Sequence, residues 1–231
     1  MKKIMTLLAV LSLTAASVAA QNIPEPEFEI YSSGKIDSDL RLAFPMHFGF
    51  TSPMSSSIPF PDTKLAQSFF YALDVASIKI SSASSPFSAT IGIRLSFQDY
   101  SFQNTDLTYR RLPIIGIGLT PILLESAKYD GKKSKIHASY VGVPLMFAFK
   151  AGQAKIFAGA GADYMFHGYT KYRSPGYRQD FNELFNSFHA YAEAGFCFGA
   201  IGVFANYSIT PVFSEAVSDC RTLTFGLVLG M

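Results

Sequence analysis

Charged residues are scarce in this sequence of 231 residues. They make up 16% of the chain, whereas hydrophobic residues make up 49% and aromatic residues 15%. An ordinary soluble domain is about 25% charged, so the composition argues against a soluble protein. Net charge is lacking as well. Lys2 and Lys3 account for two of the 19 basic residues, so 17 remain against 17 acidic residues. This balance argues against a nucleic-acid partner.

The N-terminus is typical of a secretory signal peptide. Lys2 and Lys3 precede an apolar run from Ile4 to Leu13, and Val18 and Ala20 suit a cleavage site before Gln21. No cysteine follows the small residues, which argues against a lipid-anchored protein. We predict a signal peptide over residues 1–20, a polar periplasmic lead-in over 21–39 and an outer-membrane β-barrel over 40–231.

Long hydrophobic runs are absent after the signal peptide. The longest apolar stretch, LPIIGIGLTPILL from Leu112 to Leu124, contains two prolines. It is shorter than the ~20 residues that a membrane-spanning helix needs, which excludes a helical membrane protein. An exported chain this apolar is instead expected to pair its backbone between the strands of a closed barrel.

Alternation of apolar and polar residues takes the place of long runs, and it predicts β-strands. The alternating segments are residues 40–50, 69–80, 87–98, 140–149, 156–167, 188–199, 203–210 and 222–231. The second segment loses its alternation after Val75, which predicts a β-bulge. Long and short connections alternate along the chain, as in outer-membrane barrels. The predicted fold class is all-β, a closed antiparallel transmembrane barrel of eight strands, or of ten if Leu112–Leu124 adds a hairpin.

Short turns can be placed from the letters alone. A two-residue turn at Gly152–Gln153 would set Phe149 opposite Ile156 and Gly142 opposite Asp163, and glycine at the first turn position suits a type II′ hairpin. A second short turn is predicted at Ile201–Gly202. Cys197 and Cys220 then lie at opposite ends of the barrel, too far apart for a disulfide.

Three features resemble the PorT-like outer-membrane β-barrel domains, a group related in architecture to OmpA and OmpX. They are the signal peptide, the stretch SYVGVPLMFAFKAGQAKIFAGAGADYMF at residues 139–166 and the last strand LTFGLVLGM at residues 223–231. The resemblance implies a small outer-membrane barrel that the barrel assembly machinery inserts. Such barrels often end in an aromatic residue, whereas this chain ends in Met231, and Phe225 is the alternative recognition residue.

The polar side of the strands should line the lumen if the apolar side faces lipid. The charged residues on that side are Arg41, Arg94, Asp163 and Glu193, joined by Asp74 if its strand keeps register. They would form either an ion path or a structural network that fills the barrel. The structural network is favoured, because an eight-strand barrel is just wide enough for its own side chains and buried charges need partners.

Catalytic, cofactor and metal sites are not evident. The four histidines and many serines raise lipid hydrolase or acyltransferase chemistry, yet His137 lies on the lipid-facing side and the letters show no tight Asp/His constellation. The GAGAD stretch at Gly159–Asp163 lacks the third glycine and the helix of a dinucleotide loop, so its glycines are interpreted as space for bulky neighbours. We predict that the protein is not an enzyme and binds no cofactor.

Basic residues gather in the outer loops. The candidate lipopolysaccharide contacts are Arg110, Arg111, Lys132, Lys133, Lys171 and Arg173, and Lys128, Lys135 and Arg178 lie nearby in the sequence. Such residues pair with lipid phosphates or are simply solvated loop charges.

The predicted function is that of a structural or interaction barrel that contacts outer-membrane lipid, lipopolysaccharide or a partner protein. The alternatives are a small channel, a lipid-modifying enzyme and a soluble lipocalin-like barrel. Leu112–Leu124 would extend two strands, add a hairpin or bind the partner.

Overall fold

The computed structural model describes residues 37–41, 45–54, 60–81, 85–105, 107–111, 122–126, 133–172, 177–215 and 217–230. The predicted signal peptide and the lead-in up to residue 36 lie outside these ranges, as does Met231. Within the ranges, helical structure consists of the single turns Leu65–Gln67 and Asn182–Leu184. No helix in this part of the chain is long and apolar enough to cross a membrane.

Strands make up most of the described chain. They are β1 (Asp37–Arg41), β2 (Met46–Pro53), β3 (Phe69–Ser81), β4 (Phe87–Ser101), β5 (Leu107–Arg111), β6 (Ile122–Ser126), β7 (Ser134–Ala151), β8 (Ala154–Tyr172), β9 (Tyr177–Asp180), β10 (Phe188–Phe198), β11 (Ile201–Ser208) and β12 (Thr222–Leu229).

Eight of these strands close into an antiparallel barrel, as the sequence predicts. Their order is β3, β2, β12, β11, β10, β8, β7 and β4, and β4 pairs back with β3. The strand predicted over residues 40–50 is divided in the structure. β1 and β2 follow one another along β3, opposite Ser77–Ser81 and Phe69–Leu73 respectively, and residues 42–44 between them lie outside the described chain.

Of the three local features predicted from the sequence, one bulge and two short turns, two are confirmed. The predicted bulge is present, because the pairing of β3 with β4 shifts between Asp74 and Ala76. The Gly152–Gln153 turn has the predicted register, and Gly152 has the positive φ, 61°, that a primed hairpin turn needs. The second short turn was wrongly placed. It lies at Gly199–Ala200, since Phe198 pairs with Ile201 and Gly199 supplies a φ of 61°.

The strands on either side of the apolar stretch predicted to add a hairpin do not join the barrel. β5 and β6 pair with each other in a separate two-stranded sheet, so the barrel keeps eight strands rather than ten. Tyr109 of this hairpin is buried and packs its ring against Phe102. Residues 112–121 lie outside the described chain.

The outward face of the barrel is the apolar one. We call its outward-facing hydrophobic side chains the apolar band, which on β4 runs from Phe87 to Phe97. Its members on the other barrel strands include Val143, Phe147, Ile156, Tyr164, Phe166, Phe196 and Val203, all exposed. We call the end of the barrel with the two-residue turns the turn end, and the opposite end the loop end.

The interior has three layers of side chains, and a cavity of about 530 Å³, lined by residues that include Asp74, Thr90, Met146 and Phe157, enters it from the turn end. At the turn end Phe70, Met146, Phe157, Cys197, Phe204 and Val228 form an apolar cluster. At the loop end Tyr100, Ile136, Tyr140, Leu184, Phe213 and Cys220 belong to a larger one. A polar layer lies between them, and there Gly161 leaves the space that the Tyr191 ring occupies, since a side chain at Gly161 would overlap that ring. Cys197 and Cys220 are not joined by a disulfide.

Candidate functional site

The polar layer of the lumen is centred on Arg94 of β4. Its Nε and Nη2 donate to Asp74 Oδ1 and Oδ2 at 2.5 and 3.1 Å, and its Nη1 donates to Glu193 Oε2 at 2.7 Å. Arg94 is 1% exposed and Glu193 is 3% exposed. One guanidinium therefore ties β3, β4 and β10 together across the interior. We call Asp74, Arg94, Glu193 and His47 the lumenal network.

His47 of β2 is the member that the sequence analysis did not select. Its Nε2 accepts from Arg94 Nη2 at 3.2 Å and lies 3.7 Å from Asp74 Oδ2. The signal for it was present, because His47 shares the polar side of its strand with Arg41. Asn206 of β11 completes the surroundings by donating to Glu193 Oε2 at 3.1 Å.

The remaining predicted lumenal residues have other settings. Asp163 is buried beside the lumenal network, close enough to interact electrostatically with Arg94 and Glu193, and its Oδ2 lies 3.7 Å from His189 Nδ1. His189 Nε2 is also 3.1 Å from Ser208 Oγ, deep in the lumen. Arg41 lies on β1 opposite Ser77, and its side chain is outside the described part of the chain.

A second polar cluster lies on the outward face at the loop end. Asp99 of β4 and His137 and Ser139 of β7 are joined in series: His137 Nδ1 lies 2.6 Å from Asp99 Oδ1, and His137 Nε2 lies 3.0 Å from Ser139 Oγ. An ionised carboxylate only accepts, so Nδ1 donates to Asp99 and Nε2 accepts the Ser139 hydroxyl proton. We call these three residues the rim triad.

Strand register builds the rim triad. Residues two apart on a strand share a face, which places His137 and Ser139 together, and β4 brings Asp99 opposite His137 and Phe97 opposite Ser139. Aromatic neighbours hold the imidazole, with ring centroids 4.6 Å away for Tyr169 and 6.3 Å for Phe97. The acid, imidazole and hydroxyl stand in the order that activates a serine nucleophile.

Electrostatics keep Asp99 ionised. Burial acts to raise the pKa of this carboxyl, but the hydrogen bond from His137 and the charge of Lys135, whose Nζ is 2.5 Å from Asp99 Oδ2, outweigh it. The pKa of Asp99 is therefore held below its ordinary value of 3.8. The ionised form is the one that orients the His137 ring.

The sequence analysis missed the rim triad. It placed His137 on the lipid-facing side near a strand end but found no acid partner; the structure has His137 on the outward face near the start of β7. Asp99 is 38 positions away in the chain and reaches His137 only through the pairing of β4 with β7. The letters HAS in an alternating strand were the available signal, and they carry no information about the acid.

Cations form a row just beyond the rim triad. Lys135, Lys171 and Arg178 are cross-strand neighbours on β7, β8 and β9. Arg178 lies 4.0 Å above the Tyr169 ring, and its Nη2 is 3.3 Å from His167 Nε2. We call Lys135, Lys171 and Arg178 the cation row.

Only one of the predicted lipopolysaccharide contacts, Lys171, belongs to the cation row. Lys133 precedes β7 and is not part of it. Arg110 and Arg111 lie on β5, with side chains outside the described chain, and Lys128, Lys132 and Arg173 are outside it altogether. Among the described residues no group of three His, Cys, Asp or Glu is placed to hold a metal ion.

Comparison with known proteins finds a distant likeness in fold. No family model matches this chain, and no curated protein is similar to it. Among solved structures, the crystal structure of Neisserial surface protein A (NspA) is similar with a TM-score of 0.44 and 11% identity, covering 83% of this chain and 99% of that chain. The resemblance to PorT-like barrels stays a prediction.

Proposed function

We propose that this protein is an integral outer-membrane barrel with a closed lumen, and that its loop-end rim binds the phosphates of lipopolysaccharide. The observation that carries the proposal is the cation row, which lies on the outside of the barrel directly beyond the apolar band. The turn end would face the periplasm and the loop end the cell exterior.

The dimensions of the apolar band support a membrane location. On β4 the outward residues from Phe87 to Phe97 span ten residue steps. At about 3.3 Å per step and a tilt of about 40°, that length covers roughly 25 Å, the height of the apolar band on outer-membrane barrels. Side chains this apolar and exposed, such as Phe87 at 63% and Phe147 at 58%, would be a liability in water.

The filled interior supports a role other than transport. The loop-end cluster lies over the lumenal network on one side. On the other side a cavity from the turn end reaches Asp74, but the residues that line it include neither Arg94 nor Glu193. Its charges bind one another instead of lining a water path. A closed interior leaves the outer surface and the loops as the regions that meet other molecules.

The cation row suits a multiply charged lipid headgroup. Neighbouring strands are about 4.8 Å apart, so three cations lie in a short line on three adjacent strands. Lys135 is paired with Asp99, and Arg178 Nε lies 4.0 Å from Asp180 Oδ1, so the row would bind phosphate oxygens with Lys171 and with the remaining N–H donors of its other two members. Acyl chains attached to the same headgroup would then lie along the apolar band. The β5–β6 hairpin is a further candidate surface for a protein partner, and the barrel assembly machinery is the expected partner during insertion.

Retention of lipopolysaccharide tests the proposal. The protein should fractionate with outer membranes, require detergent for extraction and carry lipopolysaccharide through purification. Charge reversal in Lys171→Glu/Arg178→Glu should lower the bound amount at least about fivefold, measured by phosphate and fatty-acid content. Lys150→Glu, an exposed lysine at the turn end, is the matched control and should retain it. Equal retention in both variants would refute the role of the cation row.

A planar-bilayer recording tests the closed lumen. The folded protein should give no stable, reproducible conductance steps, because side chains fill an eight-strand barrel. Steady unitary steps would refute the closed interior and favour the small channel.

A further inference from the structure

We propose that the rim triad is a serine hydrolase site that cleaves an acyl ester of a phosphate-bearing lipid in the outer leaflet. Ser139 is the nucleophile, His137 the general base and acid, and Asp99 the positioning residue. The inference rests on the proposed function, since it requires outer-leaflet lipid around the barrel.

The depth of Ser139 matches the chemistry of a lipid ester. Ser139 lies opposite Phe97, the last residue of the apolar band on β4, whereas His137 and Asp99 lie one level further out. Lipid esters join acyl chains to headgroups, so they occur at the boundary between the hydrocarbon core and the polar region. A lipid with its phosphate at the cation row and its chains along the apolar band would bring such an ester to the level of Ser139.

A second Asp, His and Ser group in the same barrel shows what distinguishes the rim triad. Inside the lumen, His189 Nε2 is 3.1 Å from Ser208 Oγ, but its Nδ1 is 3.7 Å from Asp163, beyond hydrogen-bond distance. That group is enclosed by the filled interior. The rim triad has both hydrogen bonds, and it faces the surface where lipid would be.

The reaction is a balanced ester hydrolysis. Ser139 Oγ attacks the acyl carbonyl carbon as its proton moves to His137 Nε2. The ester C–O bond then breaks, and His137 returns the proton to the departing lipid alcohol. Water attacks the acyl-serine, again giving its proton to His137, which returns it to Ser139 Oγ as the fatty acid leaves. The sum is ester plus water giving alcohol plus carboxylic acid.

Access to Ser139 involves His167. Ser139 is 4% exposed, and its cross-strand neighbour on β8 is His167, whose side chain is 36% exposed. An ester would therefore reach Ser139 only when neighbouring side chains such as His167 move. Arg178, bonded to His167 Nε2, belongs to the cation row, which links headgroup binding to this movement.

Covalent labelling of the folded protein is the first test. A fluorophosphonate probe should modify Ser139, identified by peptide mass spectrometry, because only an activated serine reacts quickly. Ser139→Ala and His137→Ala should each lose the labelling, whereas Ser187→Ala, an exposed serine at the loop end of the barrel, should keep it. Heat-dependent gel mobility verifies that each variant is folded. Absence of labelling in the folded protein, or labelling at Ser208, would overturn the proposal.

Acyl release is the second test, with two substrate arms. The protein in detergent micelles is given either purified lipopolysaccharide or phosphatidylethanolamine, and free fatty acids are measured. At least one arm should show release that falls about 100-fold or more in Ser139→Ala. Asp99→Asn should lower kcat by at least about tenfold and slow labelling of Ser139 without lowering lipid retention, because the substitution removes the carboxylate that is paired with Lys135. Release that persists in Ser139→Ala would overturn the site.

The two proposals fail separately. Lipopolysaccharide retention without labelling or acyl release would remove the hydrolase and leave the binding rim. Labelling and release without retention on the cation row would remove the proposed binding role and leave the rim triad.

Discussion

The lumenal network and the rim triad use similar residues for different ends. Each joins an ionised carboxylate to an imidazole, on strands that are next to each other in the barrel. In the lumen the acceptors converge on one buried guanidinium, Arg94, between two apolar clusters. On the rim the hydrogen bonds run in one direction, from Ser139 through His137 to Asp99. A polar cluster whose charges are paired with one another, as in the lumen, holds strands together. A cluster whose chain of hydrogen bonds begins at a hydroxyl near the surface, as on the rim, is arranged for chemistry.

Removing the guanidinium should have the largest effect on stability. Arg94→Leu leaves Asp74 and Glu193 buried without their cation, which is expected to cost on the order of 5 kcal/mol. The measurement is the urea midpoint of unfolding from liposomes. Ala192→Leu, which faces outward beside Glu193 on β10, should change the free energy of unfolding by less than about 0.5 kcal/mol. Equal shifts would show that the inward and outward faces are misassigned.

Removing the Glu193 carboxylate should lower the free energy of unfolding by less than removing Arg94 does. In Glu193→Leu the guanidinium keeps both hydrogen bonds to Asp74, although Asn206 loses its acceptor. The expected loss is about 3 kcal/mol, the lower end of the range for a broken buried pair. The same unfolding assay compares it with Arg94→Leu. If Glu193→Leu loses more free energy of unfolding than Arg94→Leu, Asp74 does not help to neutralise the Arg94 guanidinium.

The rim should respond to pH where Asp99 titrates. Its pKa is lower folded than the ordinary 3.8, so ionisation stabilises the folded state above pH 3.8 and this contribution is lost as the pH falls through the folded pKa. Asp99→Asn should therefore lower the free energy of unfolding by roughly 1 kcal/mol near neutral pH, the usual net contribution of one hydrogen-bonded group. The gap between the two proteins should close below the folded pKa. A gap independent of pH would contradict the ionic contribution.

Adding or omitting reductant should change neither the stability of the protein nor its electrophoretic mobility. Cys197 and Cys220 belong to the apolar clusters at opposite ends of the barrel, so electrophoretic mobility should be the same with and without reductant. Burial raises the pKa of Cys220 to about 11, and the folded protein should alkylate slowly there. Two thiols should be counted after denaturation. A mapped bond between Cys197 and Cys220 would refute the strand order.

Sequence patterns predicted the barrel well where the information is local. Loss of alternation after Val75 predicted the bulge, and the glycine at 152 predicted a turn whose register the structure has. The turn at Gly199–Ala200 was misplaced by two residues, because the apolar residues on either side of it made more than one turn position acceptable. The separate β5–β6 hairpin could not be chosen over a ten-strand barrel from its letters.

The lumenal network was partly visible in the sequence and the rim triad was not. Side-chain direction alternates along a strand, so the inward position of Arg94 and Glu193 could be inferred. The contact between them could not, since the two residues are 99 positions apart and meet only when the barrel closes. Asp99 reaches His137 for the same kind of reason, through the register of β4 against β7.

By itself the sequence determined which residues face the lumen and which face outward, because a strand repeats every two residues and needs no distant information. The tertiary structure alone decided which carboxylate meets which cation and which acid meets His137. Those contacts depend on the closure of eight strands and on registers that pass through long loops, and a shift of one residue in a register turns every side chain to the other face.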